Sequence, residues 1–528
     1  MVSDTMATAR AGSTPVVRWL RSRVGARAQL RLDSRMIEPG DVFIAIAGRR
    51  TDGGAFVSAA LDRGAGAILL DAQVAAGLPA AAHPPTVPVL TVPELGGTLG
   101  AIAADYYGRP TEHLRVVGIT GTNGKTSSCI WLAQVLGAAG LRCATLGTLG
   151  FGFPDAVRSG DSNLTTPDAV SVQRLAREAR DQGAQALAME VSSIGLDQRR
   201  VEGVRFETAL FTNLSRDHLD YHADMAQYAA AKRRLFDWPG LRNAVINLDD
   251  AFGRELLAHL AQQPAGQRPC IIGTTMAPRT GDTAPPLDAL LAAQDVEHRP
   301  EGLRFRLVHE KASAVEMASV DTGLYGAFNV ANLLGVIATA LASGIGLPQA
   351  AAAAAALQAP PGRLQRVSRD AHAQNDEPLI FVDYAHTPDA MTKALAALRP
   401  IAQARQGRLW IVFGAGGDRD RGKRPVMAAA AAAAADAIVL TSDNPRSENP
   451  ESIIDDVAAG LPSGRLHARH PDRADAIAAV LHEAASADVV LIAGKGHEQY
   501  QEIAGERRPF SDVVVARTAL RKRAGWPA

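Results

Sequence analysis

Cysteine is scarce in this chain of 528 residues: Cys129, Cys143 and Cys270 are the whole supply, with no metal-type spacing among them. So small and odd a set argues against a disulfide framework and suits a reducing cytoplasm. All three thiols are expected to be small buried hydrophobes. Net charge is missing as well. Lys and Arg number 55 and Asp and Glu number 55, so no global field favours nucleic acid or an anionic membrane. Long apolar runs are absent too. The most apolar stretch, 333–347, is rich in Ala and Gly and falls short of the ~20 residues that a membrane span needs. Residues 1–15 show no apolar core of a signal peptide. These absences predict a cytoplasmic protein with no nucleic-acid partner and no stable membrane contact. Its anion binding must then come from local loops.

What is present is an α/β pattern too long for one core, because cores stop growing near ~250–300 residues. Apolar strands are predicted over 41–46, 66–70 and 87–92, followed by a helix over 95–107 that Gly108-Arg109-Pro110 breaks. At Leu114-Arg115-Val116-Val117-Gly118-Ile119-Thr120 a buried strand runs straight into a glycine-rich loop, and a helix is predicted from 126 to about 137. Further strands are predicted over 186–190, 208–212 and 243–247. Each is almost continuously apolar, the mark of a parallel sheet covered on both faces. Chemistry in such sheets gathers at the C-terminal strand ends. Residues 275–300, rich in Pro and polar groups, are predicted to form loops. Pro360-Pro361-Gly362 marks a second boundary, and strands over 379–383, 409–413, 437–441 and 489–493 follow it. The alanine runs 350–356 and 428–435 read as helix. The prediction is an α/β protein of three domains, 1–113, 114–358 and 359–528.

The loop between the predicted strand and helix is Gly121-Thr122-Asn123-Gly124-Lys125-Thr126. Glycine lets backbone N–H groups approach phosphate oxygens closely, and the following helix N-terminus adds its dipole. In such loops the lysine, here Lys125, reaches the β and γ phosphates, and the hydroxyl of Thr126 ligates Mg²⁺. The strict pattern has glycine at position 119. Here Ile119 stands there, with Gly118 one place earlier, so the loop is a variant. No Asn-Lys-x-Asp guanine-reading motif occurs, which points to ATP. Glu190 closes an apolar strand, where a Mg²⁺ ligand is useful. The loop alone leaves open a regulatory ATPase that switches conformation without making a bond.

The motif series is longer than the loop. Leu32-Asp33-Ser34-Arg35, Thr165-Thr166-Pro167, Glu190-Val191-Ser192-Ser193 and Asn213-Leu214-Ser215-Arg216-Asp217-His218-Leu219-Asp220 come first. Gly326-Ala327-Phe328-Asn329, Pro361-Gly362-Arg363, Asp383-Tyr384-Ala385-His386-Thr387-Pro388-Asp389 and Gly416-Gly417-Asp418-Arg419-Asp420 follow. Asp443-Asn444-Pro445-Arg446 and Gly494-Lys495-Gly496-His497-Glu498 end the series. In this order they resemble the Mur ligases, the ATP-dependent amide ligases of peptidoglycan precursor synthesis. The resemblance implies a small α/β UDP-binding domain, a central P-loop ATPase domain with a parallel sheet, and a Rossmann-like C-terminal domain for the incoming amino acid.

It also implies roles residue by residue. Lys125, Glu190, His218 and Lys232 match the catalytic set, with Thr126, Glu190, His218 and a carbamate on Lys232 at Mg²⁺. Asn329 and Asp383 match contacts to adenine and ribose, and Arg363 is a cation brought to ATP. Leu32, Ser34, Arg49, Arg50 and Thr51 match uridine and diphosphate contacts. Thr165, Thr166, Ser192, Gln198 and Arg200 match contacts to the muramoyl-dipeptide of UDP-N-acetylmuramoyl-L-alanyl-D-glutamate. Asp443-Asn444-Pro445-Arg446 is similar to the motif of those members that add meso-2,6-diaminopimelate, with Arg419, Gly494 and Glu498 completing that site. Members that add L-lysine, or glutamyl units to folate, are the alternatives. The sequence departs from the family at Ile194, where Ser-Ser is often followed by His. A monomer that closes its domains around the substrates is expected.

Overall fold

The computed structural model describes residues 14–48, 52–78, 87–158, 164–219, 221–264, 266–277, 287–311, 314–370 and 377–525. Four sheets organise them. Parallel strands Leu30–Arg31, Val42–Ala45, Ala67–Asp71 and Val89–Val92 lie side by side in chain order. Their two faces bury separate apolar clusters, one around Val17, Leu20, Leu69 and Leu99, the other around Phe43, Val57 and Ile68.

The central sheet has 11 strands. Arg115–Thr120 pairs in parallel with Ala186–Glu190 on one side and with Thr208–Phe211 on the other. The chain fills one flank through Cys143–Gly147, then crosses to fill the other through Asn243–Asn247 and Cys270–Thr275. The strand that feeds the phosphate loop therefore stands at the point where strand order reverses. Ligands bind at such points because the flanking connections diverge and leave a crevice. Helix Lys125–Ala138 is buried on nearly all sides, including Trp131, Leu132 and Val135, because it lies between this sheet and helix Ala327–Ala342. A helix that is covered all round has no need of a polar face.

The C-terminal sheet runs in the order Gln365–Val367, Leu379–Asp383, Val489–Ala493, Leu409–Phe413, Ala437–Leu440, Leu466–Arg469. All its pairs are parallel except the first. The hairpin Tyr500–Ile503 with Glu506–Pro509 forms the remaining two-stranded sheet. The alanine runs lie in helices Leu347–Ala355 and Lys423–Ala434.

Two expectations are corrected. Residues 275–300 are not all loop: Ala289–Arg299 is an 11-residue strand, paired in parallel with Cys270–Thr275 and antiparallel with Gly302–Lys311. Alanine, aspartate and glutamate, all present in it, have weak strand preference. This strand is held by its neighbours, and Leu290, Leu291 and Ala293 are buried in it. Cys270 is exposed, whereas Cys129 and Cys143 are buried, because Cys270 opens its strand at the sheet margin. Among the described residues no helix is long and apolar enough to cross a membrane.

Candidate active site

The phosphate loop is fixed by its neighbours at two glycines. Gly121 has φ +152° and Gly124 has φ +85°. A Cβ on Gly121 would lie 1.9 Å from Thr212 Oγ1, and one on Gly124 would lie 2.3 Å from Asn332 Oδ1. Only glycine tolerates that backbone and that closeness together. The loop's turn thus falls at Gly121, while Ile119 is wholly buried in the strand. The next strand end holds the loop from the side. Asn213 accepts the N–H of Thr122 on its carbonyl at 2.8 Å and that of Asn123 on Oδ1 at 3.0 Å. Thr212 Oγ1 donates to the carbonyl of Asn123 at 2.6 Å.

Beside the loop, Thr126 Oγ1 donates to Glu190 Oε2 at 3.0 Å. The glutamate also accepts the N–H of Thr148 at 2.7 Å and its hydroxyl at 3.1 Å. A Cβ on Gly147 would lie 2.2 Å from Glu190 Oε1, so the carboxylate packs directly on that turn. Thr148 is a site residue that sequence reasoning missed, and nothing in its local sequence marks it. Among the described residues no group of three or more His, Cys, Asp or Glu could hold a metal. Thr126 and Glu190 offer hard oxygen ligands, which fits Mg²⁺ bound through one carboxylate together with substrate phosphates.

Lys125 Nζ donates to the carbonyls of Gly121 and Thr122, both at 2.9 Å. Lys232, on helix Met225–Arg233, is buried and donates to the carbonyl of Gly121 at 2.8 Å. Its Nζ stands 4.5 Å from the centroid of the Tyr228 ring. That phenol meets Thr122 Oγ1 at 3.1 Å. Burial, then the nearby Lys125 cation, push Lys232 well below the usual lysine range, against a smaller opposing pull from Asp217. His218, in a left-handed backbone conformation at φ +54°, places its Nε2 3.6 Å from Asp217 Oδ2. Its ring meets Tyr228 edge-on at 6.0 Å.

The C-terminal sheet closes the other side of the loop. Arg363 Nη2 donates to Thr126 Oγ1 at 3.3 Å, and its guanidinium lies 4.8 Å from the centroid of the Tyr384 ring. Asn123 Nδ2 and Ser215 Oγ both donate to Asp389 Oδ2 at 3.3 Å. Asp383 ends its strand and accepts the N–H groups of Leu364 at 2.7 Å and Ala385 at 2.8 Å. Burial pushes its carboxyl up, against Arg363 and those two N–H groups. Asn329 Nδ2 donates to the carbonyl of Tyr325, and its Oδ1 accepts from Asn332, the residue packed on Gly124.

Thr165, Thr166, Ser192, Gln198 and Arg200 come together beyond Glu190. Thr165 Oγ1 lies 3.2 Å from Thr148 Oγ1, within hydrogen-bond reach. Thr166 Oγ1 donates to the carbonyl of Glu190 at 2.9 Å and accepts the N–H of Ser192 at 2.9 Å. Arg200 donates to the carbonyl of Thr166 and to Gln198 Oε1. Ile194 is half-buried in the short helix Ser193–Asp197, and the buried imidazole near it is His222, with Nε2 3.0 Å from Ser193 Oγ. Leu32 and Ser34 follow strand Leu30–Arg31 of the separate N-terminal sheet, and Ser34 opens a 3₁₀ turn capped by Asp33. Arg49, Arg50 and Thr51 lie outside the described residues.

The last group gathers at strand ends of the C-terminal sheet. Asp443 and Asn444 follow Ala437–Leu440, and Gly494 follows Val489–Ala493. A Cβ on Gly494 would lie 2.5 Å from Asp443 Oδ2. Asn444 Nδ2 donates to Glu498 Oε2 at 2.8 Å. Pro445 packs its carbonyl on Gly417, whose Cβ would lie 1.9 Å away. Arg446, at φ +53°, donates to the carbonyl of Gly417 at 2.6 Å. Exposed Arg419 flanks the same turn: a Cβ on Gly416 would lie 3.1 Å from Arg446 Nη1 and 3.7 Å from Arg419 Cγ. Paired guanidiniums suit a carboxylate, and the neighbouring carboxylates suit an ammonium. One site can therefore cradle phosphates, and a second can grip a zwitterionic head group.

Comparison with known proteins matches this layout. Models described as Mur ligase family, catalytic domain, Mur ligase middle domain, and Mur ligase, glutamate ligase domain match residues 28–107, 119–340 and 362–496. The UDP-N-acetylmuramoyl-L-alanyl-D-glutamate--2,6-diaminopimelate ligase of Chromobacterium violaceum is 49% identical over 492 residues, 93% of this chain and 94% of its own. The protein of the same name from Ectopseudomonas mendocina is 46% identical over 500 residues, 95% of this chain and 96% of its own. A solved structure of a ligase of that name superposes with a TM-score of 0.63 at 36% identity, covering 94% of this chain and 95% of that one.

Proposed function

This chain belongs to the Mur ligase family, and from that premise we propose how its residues carry out the reaction. The protein is an ATP-dependent, ADP-forming ligase that adds diaminopimelate to UDP-N-acetylmuramoyl-L-alanyl-D-glutamate in peptidoglycan synthesis. The observation that carries the residue assignment is the meeting of Thr126, Glu190 and Arg363 at the phosphate loop, with Arg363 supplied by the turn that leads into strand Gln365–Val367 of the C-terminal sheet.

A carboxylate is a poor electrophile, so it must be activated. An oxygen of the free D-glutamyl carboxylate attacks the γ-phosphorus of ATP, the bond to the β-phosphate oxygen breaks, and ADP leaves. The acyl phosphate then receives the amine of meso-diaminopimelate. The tetrahedral adduct expels phosphate, the amine loses its proton, and the amide remains. Phosphoryl transfer of this kind depends on positioning and charge neutralisation.

The loop residues Gly121 to Thr126 cradle the phosphates, with Lys125 turning from its loop carbonyls to the β and γ oxygens. Arg363 neutralises charge that spreads over the transferring group. Mg²⁺ would be held by Thr126, Glu190, His218 and the Lys232 carbamate, and would polarise the phosphate oxygens. Lys232 as a carbamate presents an anion in place of a cation. Asn329 and Asp383 hold the nucleoside. Thr165, Thr166, Ser192, Gln198 and Arg200 hold the muramoyl-dipeptide, while Leu32, Ser34 and Arg49, Arg50 and Thr51 hold the UDP end. Arg419 and Arg446 take the distal carboxylate of diaminopimelate, and Asp443, Asn444, Gly494 and Glu498 engage its ammonium. The enzyme acts as a cytoplasmic monomer.

The test is ADP formation with the UDP-dipeptide and a panel of amino acids. Release should need both co-substrates and should favour meso-diaminopimelate over L-lysine, which lacks the distal carboxylate. Lysine would leave the half-buried Arg446 guanidinium without its carboxylate partner, which is a basis for rejecting it. Equal ADP release with neither co-substrate present would sink the ligase reading.

A further inference from the structure

Lys495 lies in the Gly494-Lys495-Gly496-His497-Glu498 motif, between two residues of the amino-acid site, and the function above leaves it without a role. Its side chain is wholly buried. Its ammonium donates to Asn444 Oδ1 at 2.9 Å and to Glu498 Oε2 at 2.8 Å. Asn444 Oδ1 also accepts the backbone N–H of Glu502 at 3.0 Å. An ammonium and a backbone N–H can only donate. Together they fix which end of the Asn444 amide is oxygen, so its NH₂ must face Glu498, where it lies 2.8 Å from Oε2.

The consequence is a sorted pair of carboxylate oxygens. Glu498 Oε2 is engaged by Lys495 and Asn444. Among the described residues no hydrogen bond reaches Glu498 Oε1 or either oxygen of Asp443, although Asp443 is buried against Gly494. Those acceptors are what a buried ligand ammonium needs. The charge count points the same way. Asp443 and Glu498 alone would place two anions around one ammonium, and Lys495 cancels one of them. Without it, Glu498 would lose one of the two donors that hold its Oε2.

We propose that Lys495 is the positioning residue that sets specificity at the ammonium end of the incoming amino acid. It locks Asn444 and Glu498 so that one Glu498 oxygen and the Asp443 carboxylate face the ligand. The assignment rests on the reading of this cluster as the diaminopimelate site. Lys495 never touches the reacting atoms, so it acts on binding of the amino acid and not on transfer of phosphate.

Steady-state kinetics of the full-length enzyme test this, with ATP, the UDP-dipeptide and meso-diaminopimelate each varied in turn. Lys495→Met should raise KM for diaminopimelate roughly 10- to 100-fold, the usual range of coupling between contacting buried groups. KM for ATP and kcat should stay within about 3-fold, since uniform binding is lost without a loss special to the transition state. Combined with Glu498→Gln, the effect should be far smaller than the product of the two single effects, because Lys495 works largely through Glu498. An unmoved KM for diaminopimelate, a uniform fall in kcat alone, or multiplicative effects in the double variant would overturn the assignment. If Lys495→Met does not fold, Lys495→Gln, which keeps hydrogen-bond donors without charge, is read by the same KM criterion. A wild-type enzyme that forms no ADP with diaminopimelate overturns the functional reading, and this assignment with it.

Discussion

Lys125 and Lys232 donate to one acceptor, the carbonyl of Gly121, at 2.9 and 2.8 Å. Two lysines that close disfavour each other's charge, and burial disfavours both. Lys232 sits well below its ordinary range while Lys125 is lowered less, with Glu190 and Asp217 pulling it back up. A neutral amine is the form that adds carbon dioxide, forming a C–N bond and releasing a proton as the carbamate appears. Burial, reinforced by Lys125, would thus prepare Lys232 for the proposed carbamylation.

Lys232→Ala should therefore lose turnover by at least ~10²-fold, the scale of removing one electrostatic element from such a site. Bicarbonate with a short carboxylic acid should restore part of it by supplying the missing anion. ADP formation measures both. Full activity in the alanine variant removes the carbamate from the mechanism.

Arg363 joins the C-terminal sheet to the loop through Thr126 Oγ1. Among the described residues its buried Nε has no hydrogen-bond partner, so it has donor capacity left for a phosphate. Arg363→Ala should lower kcat by roughly 10²- to 10³-fold, with KM for diaminopimelate little changed. A variant whose kcat is intact would show that the arginine only ties the two sheets together.

Arg446 is held at φ +53° with its guanidinium on the Gly417 carbonyl. Lysine carries the charge but not the planar fork. Arg446→Lys should raise KM for diaminopimelate by about 10-fold or more and leave KM for ATP within about 2-fold. Unchanged diaminopimelate kinetics refute the assignment.

Burial, with the Arg363 cation adding to it, pushes His497 down to about 4. Between that value and the ordinary ~6.5, the unfolded chain binds more protons than the folded one. Stability therefore rises with pH across this window and falls as pH drops through it. His497→Gln lacks the titration, so its urea midpoint should fall less than that of the wild type between pH 7 and pH 5. Equal falls in both proteins would mean that His497 titrates normally when folded.

The phosphate loop was legible because its determinants are local. A buried strand, a glycine turn and a helix start follow one another within a few residues, from Arg115–Thr120 to Lys125. The same holds for the apolar parallel strands of the central and C-terminal sheets. Strand Ala289–Arg299 was not legible, because its alanines and acidic residues have weak strand preference and pairing with Cys270–Thr275 and Gly302–Lys311 makes it a strand. Cys270 was misread for a related reason: exposure is set by where a strand meets the sheet margin.

The order of the motifs along the chain, the family they resemble and the residue types available for catalysis were determined by the sequence itself. Chemistry of phosphate, carboxylate and ammonium recognition is written in side chains. Only the tertiary structure decided which of them meet. Arg363 reaches Thr126, Asp389 accepts from Asn123, and Thr148 supports Glu190 through contacts between residues distant in the chain. It also decided that Lys232 and Lys495 are buried. A lysine in solvent is a simple cation, whereas one enclosed beside another charge can be neutralised or locked into a network, and only packing creates that difference.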